Sequence, residues 1–323
     1  MTMRNEKAKL GLTLLGLKGL GRVKAREIIK SSDTLPETVE GIEQMLINVS
    51  EQTGKKLPTI NKTEIKMAMS EANDALEDCA NREIEISFIE PSHDSHWKNN
   101  FLRIPNPPLV LFSLGDIEIL NMPSIAIIGT REPTAIGQKM ATRFAKRSVK
   151  AGFCIVSGLA LGCDIAAHTG ALKVNGKTVA VLAHGLDRVH PKQHTRIAHE
   201  IVVNGGCLLS EYSPGTEPEL GNFIDRDRLQ SAASLGVIVI ETSIKGGSMH
   251  TVRFAKQQNR KVGCFDHDLQ YHKFKAVKGN RQLLDEGEYK IQSEEDLEQF
   301  LDLCSESGKS IDKKEAQQED LFA

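Results

Sequence analysis

The chain has 323 residues, 40% of them hydrophobic and 26% charged, and its formal net charge is −2. It is therefore long enough for more than one domain and a sizeable buried core, and its charge excludes a globally basic nucleic-acid-binding protein. Because it contains neither an apolar run of about eighteen residues nor a charged-then-apolar leader, the sequence predicts no membrane span and no signal peptide, and we expect a cytoplasmic protein.

Residues 1–80 predict a small helical domain, because they lack the alternation that is typical of strands. Within it, Leu17-Lys-Gly-Leu-Gly-Arg-Val-Lys-Ala25 resembles the turn of a helix-hairpin-helix unit. In such a turn, backbone amides meet a nucleic-acid phosphate and basic residues of the next helix lie nearby. The candidate DNA contacts are Gly19, Gly21, Arg22 and Lys24. The alternative is a plain packing turn between two helices.

Residues 81–304 predict a larger domain in which short strands alternate with helices. Two lead-in strands are expected at residues 84–88 and 109–112. The later strand-like runs are apolar and rich in β-branched residues, and they lie at 125–128, 153–157, 178–182, 206–209, 235–240 and 261–265. With helical stretches between them, these runs predict an α/β fold with a doubly wound, mostly parallel sheet.

Two of the predicted strands end in glycine turns that lead into helices. The first turn contains Gly129, Thr130 and Arg131, and the second begins at Ser157 and Gly158. Such turns present backbone N–H groups and the positive end of a helix to an anion, and Arg131 adds further donors. Since neighbouring strand ends form one crevice, the sequence predicts a shared phosphate site there. A strand–helix connection that binds nothing is the alternative for each turn taken singly.

The charges are unevenly distributed along the chain. Residues 121–265 contain 18 basic and 10 acidic residues, a net charge of +8, whereas residues 283–323 contain 4 and 13, a net charge of −9. The region of the glycine turns is therefore basic, which favours binding to phosphates. A well-solvated surface is the alternative explanation.

The six cysteines lie far apart, and none of them forms a C-x-x-C pair. Cys154, Cys207 and Cys264 fall in or beside the predicted strands. We therefore expect reduced, mostly buried thiols and no zinc site, and the sequence indicates no other metal or cofactor.

Residues 305–323 predict a disordered acidic tail, which ends in Gln318-Glu-Asp-Leu-Phe-Ala323. This ending is similar to the short Gln-x-Asp-Leu-Phe peptide by which many bacterial replication and repair proteins dock on the DNA sliding clamp. The candidate clamp contacts are Gln318, Asp320, Leu321 and Phe322. So short a motif also arises by chance, and a tail without a partner is the alternative.

Eight motifs between residues 107 and about 290 together resemble the DNA-processing protein A (DprA/Smf) family of bacteria. In order, they are Pro107–Asp116, Ile125–Arg131, Val156–His168, Val181–Asp187, Gly205–Gly215, Asn222–Arg228, Gly247–Thr251 and Lys278–Gly287. The resemblance implies a Rossmann-like domain that binds single-stranded DNA and hands it to the recombinase RecA, usually as a homodimer. The implied processes are DNA uptake and homologous recombination.

The same resemblance assigns a DNA site to residues of these motifs. They are Gly129, Thr130, Arg131, Ser157, Gly158, Phe223, Arg226, Arg228, Gly247 and Ser248. Arginines and turn amides suit phosphates, and Phe223 offers a face to a base, with core packing as its equal alternative.

Three features depart from the family pattern. Asp227 stands between Arg226 and Arg228 where the family has Asn, Asp266-His-Asp268 replaces a Pro-Gly pair, and the acidic tail stands where many members carry a winged-helix module. Asp227 either neutralises part of the phosphate-binding charge or orients the two guanidinium groups.

The residues leave a second function open, that of a nucleotide-binding or nucleotide-cleaving enzyme. Glu211, Glu241 and His184 stand near predicted strand ends, where catalytic groups are found in such folds. No nucleophile–base pair or metal cluster appears at a recognised spacing, and His168, His184 and His250 lie far apart in the sequence. The sequence therefore predicts a DNA-binding protein without a catalytic site.

Overall fold

The computed structural model describes residues 3–32, 34–92 and 95–319. The first four helices belong to the predicted helical region: α1 (Met3–Gly16), α2 (Arg22–Lys30), α3 (Val39–Thr53) and α4 (Lys62–Asn81). Their starts are encoded locally, because the Thr38 side chain accepts a hydrogen bond from the Gly41 amide. Asn61 and Glu64 likewise form a reciprocal capping box at α4.

The strands confirm the predicted α/β architecture. They are β1 (Glu85–Phe88), β2 (Val110–Gly115), β3 (Ser124–Ile128), β4 (Cys154–Ser157), β5 (Thr178–Leu182), β6 (Cys207–Ser210), β7 (Gly236–Val239), β8 (Lys261–Phe265) and β9 (Tyr289–Ile291). The remaining helices are α5 (His96–Leu102), α6 (Ala135–Lys150), α7 (Cys163–Leu172), α8 (Thr195–Val203), α9 (Leu220–Ala232), α10 (Ser248–Gln257), α11 (Lys278–Asp285) and α12 (Glu294–Glu319).

All of these strands form one Rossmann-like sheet in the order β1-β2-β6-β5-β4-β3-β7-β8-β9. The seven strands from β6 to β9 are parallel, and the lead-in strands β1 and β2 add an antiparallel edge. From β3 the chain winds outward through β4, β5 and β6, and it then returns to β7 on the other side of β3. This reversal places the topological switch point between β3 and β7.

The helical region packs directly on the sheet. Leu14, Ile28 and Ile42 of the helices share a buried cluster with Val110 of β2 and Leu208 of β6. The buried Arg26 of α2 donates hydrogen bonds to the carbonyls of Ile89 and Pro108. Residues 1–80, which the sequence predicts as a domain, therefore share a hydrophobic core with the sheet.

All six cysteines are buried and unpaired, as predicted. Among the described residues, no helix combines the length and the apolar character needed to cross a membrane.

Helix α12 runs through residues 305–319, for which the sequence predicts a disordered tail. Its first half is anchored by Leu297, Phe300 and Cys304, which are buried. The helix then continues through the weak helix formers Ser305, Ser307, Gly308 and Ser310, and ends in a run of good helix formers over residues 313–319, which extend an established helix at little cost. Asp320, Leu321 and Phe322 of the candidate clamp peptide lie outside the described residues, and of Gln318 only the backbone is described.

Candidate nucleic-acid interface

A cleft of about 400 Å³ opens at the carboxyl ends of β3, β4 and β7, which is the switch point of the sheet. Seven of the ten residues that the family resemblance assigns to the DNA site line it: Gly129, Thr130, Arg131, Phe223, Arg226, Gly247 and Ser248. The other three, Ser157, Gly158 and Arg228, do not. The two glycine turns thus meet at one crevice, as their positions on neighbouring strands predict.

The first turn is packed too closely to allow a side chain at Gly129. A Cβ atom there would lie 2.4 Å from the Cys163 Sγ. The Thr130 amide donates to the Glu241 carbonyl over 2.7 Å, and the Thr130 carbonyl accepts from the Cys163 amide over 3.2 Å. The turn is therefore fixed to the end of β7 and to the start of α7, and the Thr130 amide is not available to a phosphate.

The N-terminus of α6 already holds an anion, which is the fully buried carboxylate of Glu241. This carboxylate accepts hydrogen bonds from the Thr134 amide (2.8 Å), the Thr134 hydroxyl (2.5 Å) and the His267 Nε2 atom (2.9 Å). Burial alone would raise the pKa of Glu241, but these hydrogen bonds outweigh it and hold the pKa below its ordinary value. The expected phosphate site at this helix start is thus occupied by the protein itself.

The second turn is likewise satisfied internally. The buried Asp164 of α7 accepts hydrogen bonds from the Gly158 amide (3.1 Å) and the Ala160 amide (3.4 Å). The Ser157 hydroxyl, also buried, donates to the Ile127 carbonyl over 2.7 Å. Ser157 and Gly158 therefore support the cleft from behind.

Arg226 is a buried arginine that lines the cleft. Its guanidinium donates to the carbonyls of Gly158 and Val181, and its Nε atom donates to the Asp227 carboxylate over 3.2 Å. Burial raises the pKa of Asp227 to about 6, although the nearby positive charge of Arg226 opposes this shift. This hydrogen bond lets Asp227 orient one of the two guanidinium groups, that of Arg226, and its carboxylate also places a negative charge at the cleft.

Arg228 points away from the cleft, toward the helical region. Its side chain is only 3% exposed, and it donates to the Glu211 carboxylate over 2.5 Å. Arg22 of α2 contacts the same Glu211 oxygen over 3.0 Å and also pairs with Asp225 of α9. Arg22 and Arg228 therefore join α2 to α9 through two carboxylates. Arg228 is buried in this ion pair, away from the predicted DNA site, whereas the Arg22 side chain is 24% exposed.

Arg131 and Phe223 form the exposed side of the cleft. The Arg131 guanidinium lies 5.2 Å from the centre of the Phe223 ring, in a cation–π contact. Phe223 is half-buried and stands outside the hydrophobic core, so core packing does not explain it. Its ring lines the cleft together with the apolar Leu220 and Ile224.

Helix α10 begins at the opposite wall of the cleft. Gly247 precedes its first residue, Ser248, and no side chain caps this N-terminus. The Met249 and His250 amides donate to the Gly246 and Gly247 carbonyls over 3.0 and 2.9 Å, so Gly247 and Ser248 carry the backbone of this helix start that faces the cleft, together with the positive end of the helix dipole. Within the described structure, this uncapped helix start contrasts with α6, which Thr134 caps.

The remaining candidate contacts, Gly19, Gly21 and Lys24, lie in the helical region outside the cleft. Gly19 and Gly21 are exposed, and Gly19 has a φ of 87°, in the left-handed region that favours glycine. The turn therefore has the exposed glycines that the helix-hairpin-helix resemblance predicts.

The residues behind the enzyme alternative all have structural partners. Glu241 fixes the start of α6, and Glu211 joins two arginines. His184 and His168 are buried, and their Nδ1 atoms lie 2.9 Å from the Gly185 carbonyl and 2.8 Å from the Thr178 hydroxyl. Burial lowers the pKa of both, that of His168 to about 3. No group of three or more metal-ligating side chains occurs in the described residues.

Several polar residues of the cleft are missing from the set that the sequence assigns to the DNA site, among them Asp164 and Gln230. The spacing of Phe223, Asp227 and Gln230 in α9 places them on one helix face and could have identified Gln230. Asp164 follows the second glycine turn, where an acidic residue in the first turn of a helix is common for electrostatic reasons alone.

Comparisons with known proteins agree with this fold and with the sequence motifs. The model of the family described as DNA recombination-mediator protein A matches residues 89–302. Protein Smf of Synechocystis sp. is 40% identical over 179 residues, which cover 54% of this chain and 44% of that protein. The DNA processing protein DprA of Bacillus subtilis is 38% identical over 160 residues, 49% of this chain and 54% of that protein. The chain thus spans about half the length of these curated relatives.

Two solved structures are also similar. The X-ray structure of DNA processing protein A from Streptococcus pneumoniae superposes with a TM-score of 0.71 and 26% identity, over 92% of this chain and 98% of that one. DNA processing protein A from Helicobacter pylori, described with its single-stranded DNA binding mode, has a TM-score of 0.58 and 30% identity. That match covers 69% of this chain and 96% of that one.

Proposed function

The chain belongs to the DNA recombination-mediator protein A family, and from this premise we propose that it binds single-stranded DNA in the switch-point cleft and acts in DNA processing and homologous recombination. The observation that carries the proposal is the pairing, across one cleft, of Arg131 stacked on Phe223 with the uncapped N-terminus of α10. The protein holds the strand, and it makes or breaks no covalent bond.

The phosphates are bound by two elements of the cleft. Arg131 is exposed, so its guanidinium can reach a strand that enters from solvent. Gly247 and Ser248 present their own amides, at the positive end of α10, to a second phosphate. Arg226 contributes positive charge from below, while its hydrogen bonds stay with the protein.

A base stacks on the aromatic side of the cleft. Phe223, Leu220 and Ile224 offer an apolar surface next to the phosphate-binding groups. Stacking on an aromatic ring tolerates every base, because each base has a π-face. The arrangement therefore favours binding of single strands with little sequence preference, and a duplex, whose bases are already stacked on each other, cannot use it.

The first test is fluorescence anisotropy of a labelled oligothymidylate at several salt concentrations. Arg131→Ala weakens binding and makes the slope of log Kd against log salt shallower by about 0.7, the value for one phosphate contact on a single strand. Phe223→Leu costs about 1–3 kcal/mol of binding free energy and leaves the slope unchanged, since a lost stacking contact releases no counterion.

The matched control is Arg196→Ala on α8, an exposed arginine outside the cleft that pairs only with Glu200 among the described residues. It leaves both affinity and slope unchanged. Absence of salt-sensitive binding by the wild-type protein, even at low salt, would contradict the proposal and direct attention to mononucleotides in the same cleft.

We further propose that the protein delivers the strand to RecA and acts as a homodimer, with family membership as the support for both. Sedimentation velocity at increasing protein concentration tests the dimer. RecA filament formation on single-stranded DNA, with wild type and Arg131→Ala, tests delivery. We expect RecA filaments to form faster with the wild type than with Arg131→Ala or with no added protein. Equal rates with and without the wild type would contradict delivery.

The C-terminal Gln318–Ala323 segment supports a separate proposal, docking on the DNA sliding clamp. Its support is the sequence pattern Gln-x-Asp-Leu-Phe. A variant that carries Leu321→Ala and Phe322→Ala loses clamp binding in surface plasmon resonance and keeps its affinity for oligothymidylate. Equal clamp binding by this variant and the wild type would rule the motif out.

A further inference from the structure

A basic groove of about 420 Å³ lies in the helical region, outside the cleft. Lys24 and Lys30 of α2 line one side, and Lys55 and Lys56 line the other, just beyond the end of α3. We call these four residues the lysine groove. Only one acidic side chain, Glu27, is among the groove's lining residues.

The charge of the lysine groove is largely uncompensated. Glu27 accepts a hydrogen bond from the Lys55 Nζ atom over 2.9 Å, which leaves a net charge of +3 on the lining residues. All four lysines are exposed, and neither Lys30 nor Lys56 forms an ion pair within the described part of the chain. Such a concentration of like charge attracts a polyanion.

The groove continues into the glycine turn between α1 and α2. The Lys24 Nζ atom lies 3.4 Å from the Gly19 carbonyl, and a Cβ atom at Gly19 would lie 3.3 Å from Pro58, two residues after Lys56. Gly21 precedes α2, and no side chain caps that helix. The Leu20 amide donates to the Leu17 carbonyl over 3.1 Å, so the turn offers the exposed backbone of Gly19 and Gly21. With the lysines it forms one elongated surface, which suits a chain of phosphates better than a single anion.

The position of α9 connects this surface to the cleft. Phe223 and Asp227 on one face of α9 line the cleft, while Asp225 on another face pairs with Arg22 at the start of α2. Lys24, Glu27 and Ser31 of the groove lie on the face of α2 opposite Arg22, so both α9 and α2 separate the two surfaces, which is roughly two helix diameters or about 20 Å. A few nucleotides of an extended strand cover this distance.

From this geometry we propose that the lysine groove and the Gly19–Gly21 turn form a second phosphate-binding site for the strand held in the cleft. The inference rests on the proposed function of the cleft, and it extends the DNA path from the sheet to the helical region. Leu57, which is half-buried between the lysines, provides apolar surface for the sugar or base of an unpaired strand, and Ile28 and Val49 are buried beneath it.

The test compares labelled oligothymidylates of about 6 and about 20 nucleotides, since a short strand fills only one site. The variant carries Lys24→Gln, Lys55→Gln and Lys56→Gln. It binds the short strand as the wild type does and binds the long strand more weakly, with a salt slope shallower by about 2, the value for three lost phosphate contacts. The control carries Lys139→Gln, Lys146→Gln and Lys150→Gln on α6, and it changes neither affinity.

The outcomes separate the two proposals. The second site is ruled out if the groove variant binds the long strand with wild-type affinity. It is also ruled out if the variant loses the same affinity for the short and the long strand. If Arg131→Ala leaves both affinities unchanged while the groove variant weakens the long strand, the cleft proposal fails and the groove remains. Circular dichroism checks folding of the triple variant, and the single Lys56→Glu substitution, which acts at an exposed side chain, must weaken the long strand in the same way.

Discussion

Asp227 places a carboxylate within the cleft that we propose for DNA. Its Oδ1 atom accepts from the Arg226 Nε atom, and burial raises its pKa to about 6. The other charged or titratable side chains that line the cleft are Arg131, Asp164 and His250. Near neutral pH the Asp227 carboxylate is mostly ionised and repels phosphates, and it becomes neutral as the pH falls through about 6.

We therefore expect the affinity for oligothymidylate to rise as the pH is lowered from about 7.5 to about 5.5 at constant salt. Asp227→Asn keeps an acceptor oxygen for Arg226 and removes the charge, so it binds more tightly than the wild type at the higher pH. The expected gain is about 1 kcal/mol, the interaction of two unit charges some 4 Å apart in water. Anisotropy titrations at each pH measure both effects.

Two controls isolate the contribution of Asp227. His250→Gln removes the histidine of the cleft, and Asp302→Asn removes an exposed carboxylate of α12 outside it. We expect Asp227→Asn to change the pH dependence of binding in each of these two backgrounds as it does in the wild type. Parallel pH profiles for the wild type and Asp227→Asn would show that protonation of Asp227 does not affect binding of the strand.

The arginines show how far sequence reasoning reaches at the scale of a residue. Arg131 and Phe223 lie at the cleft, as expected, because each is placed by an adjacent turn or helix start. Arg226 and Arg228 also belong to the predicted DNA site, yet both side chains are buried. Their acceptors, the Val181 carbonyl and the Glu211 carboxylate, are distant in sequence, so only the folded chain shows that these donors are used.

At the scale of elements, Glu241 is the link between β7 and α6. It follows the carboxyl end of β7 and accepts two hydrogen bonds from Thr134, the N-cap of α6, and one from His267. A fully buried carboxylate persists only when its charge is satisfied in this way. The link fixes the loop that carries Arg131, and so it positions the cleft without contacting DNA.

Glu241→Gln is expected to lower the free energy of unfolding by about 1–3 kcal/mol, because the new amide group faces donors. The folded pKa of Glu241 lies below its ordinary value of 4.5, so the ionised form stabilises the fold above that pH. This stabilisation is lost as the pH falls through the folded pKa. Urea unfolding between pH 7 and pH 3 should therefore show a steeper loss of stability in the wild type than in the variant.

A nucleotidase assay on the same variant addresses the enzyme alternative. Catalysis would be favoured over a structural role if the wild type hydrolyses a nucleotide and the folded Glu241→Gln variant does not. Equal stability of the two proteins at every pH would contradict the structural role.

The elements themselves follow from local patterns where burial is complete. The strands from β3 to β8 are apolar runs buried on both faces, and their positions agree with the sequence to within a residue or two. The exception is β9, which the sequence analysis did not predict. It has only three residues, lies at the edge of the sheet and has Lys290 exposed, so its apolar run is too short to predict a strand from the sequence.

At the scale of the whole molecule, the helical region and the sheet share one hydrophobic cluster. Leu14, Ile28 and Ile42 pack with Val110 and Leu208, and the Arg22 and Arg26 contacts cross the same boundary. The sequence predicts two domains because helices and strands are segregated along the chain. It does not show that the helices bury their apolar faces against β1, β2 and β6.

This shared core predicts that the protein unfolds in one cooperative transition. Trp97, the single tryptophan, is buried in the sheet part of the molecule, so its fluorescence reports on that part. Far-UV circular dichroism reports on all helices, including α1 to α4. The two probes should give coincident urea transitions, and a saturating oligothymidylate at about 100 Kd should shift both by about 2.7 kcal/mol. Two separated transitions, with only the fluorescence transition shifted by DNA, would instead show that the helical region folds and binds independently of the cleft.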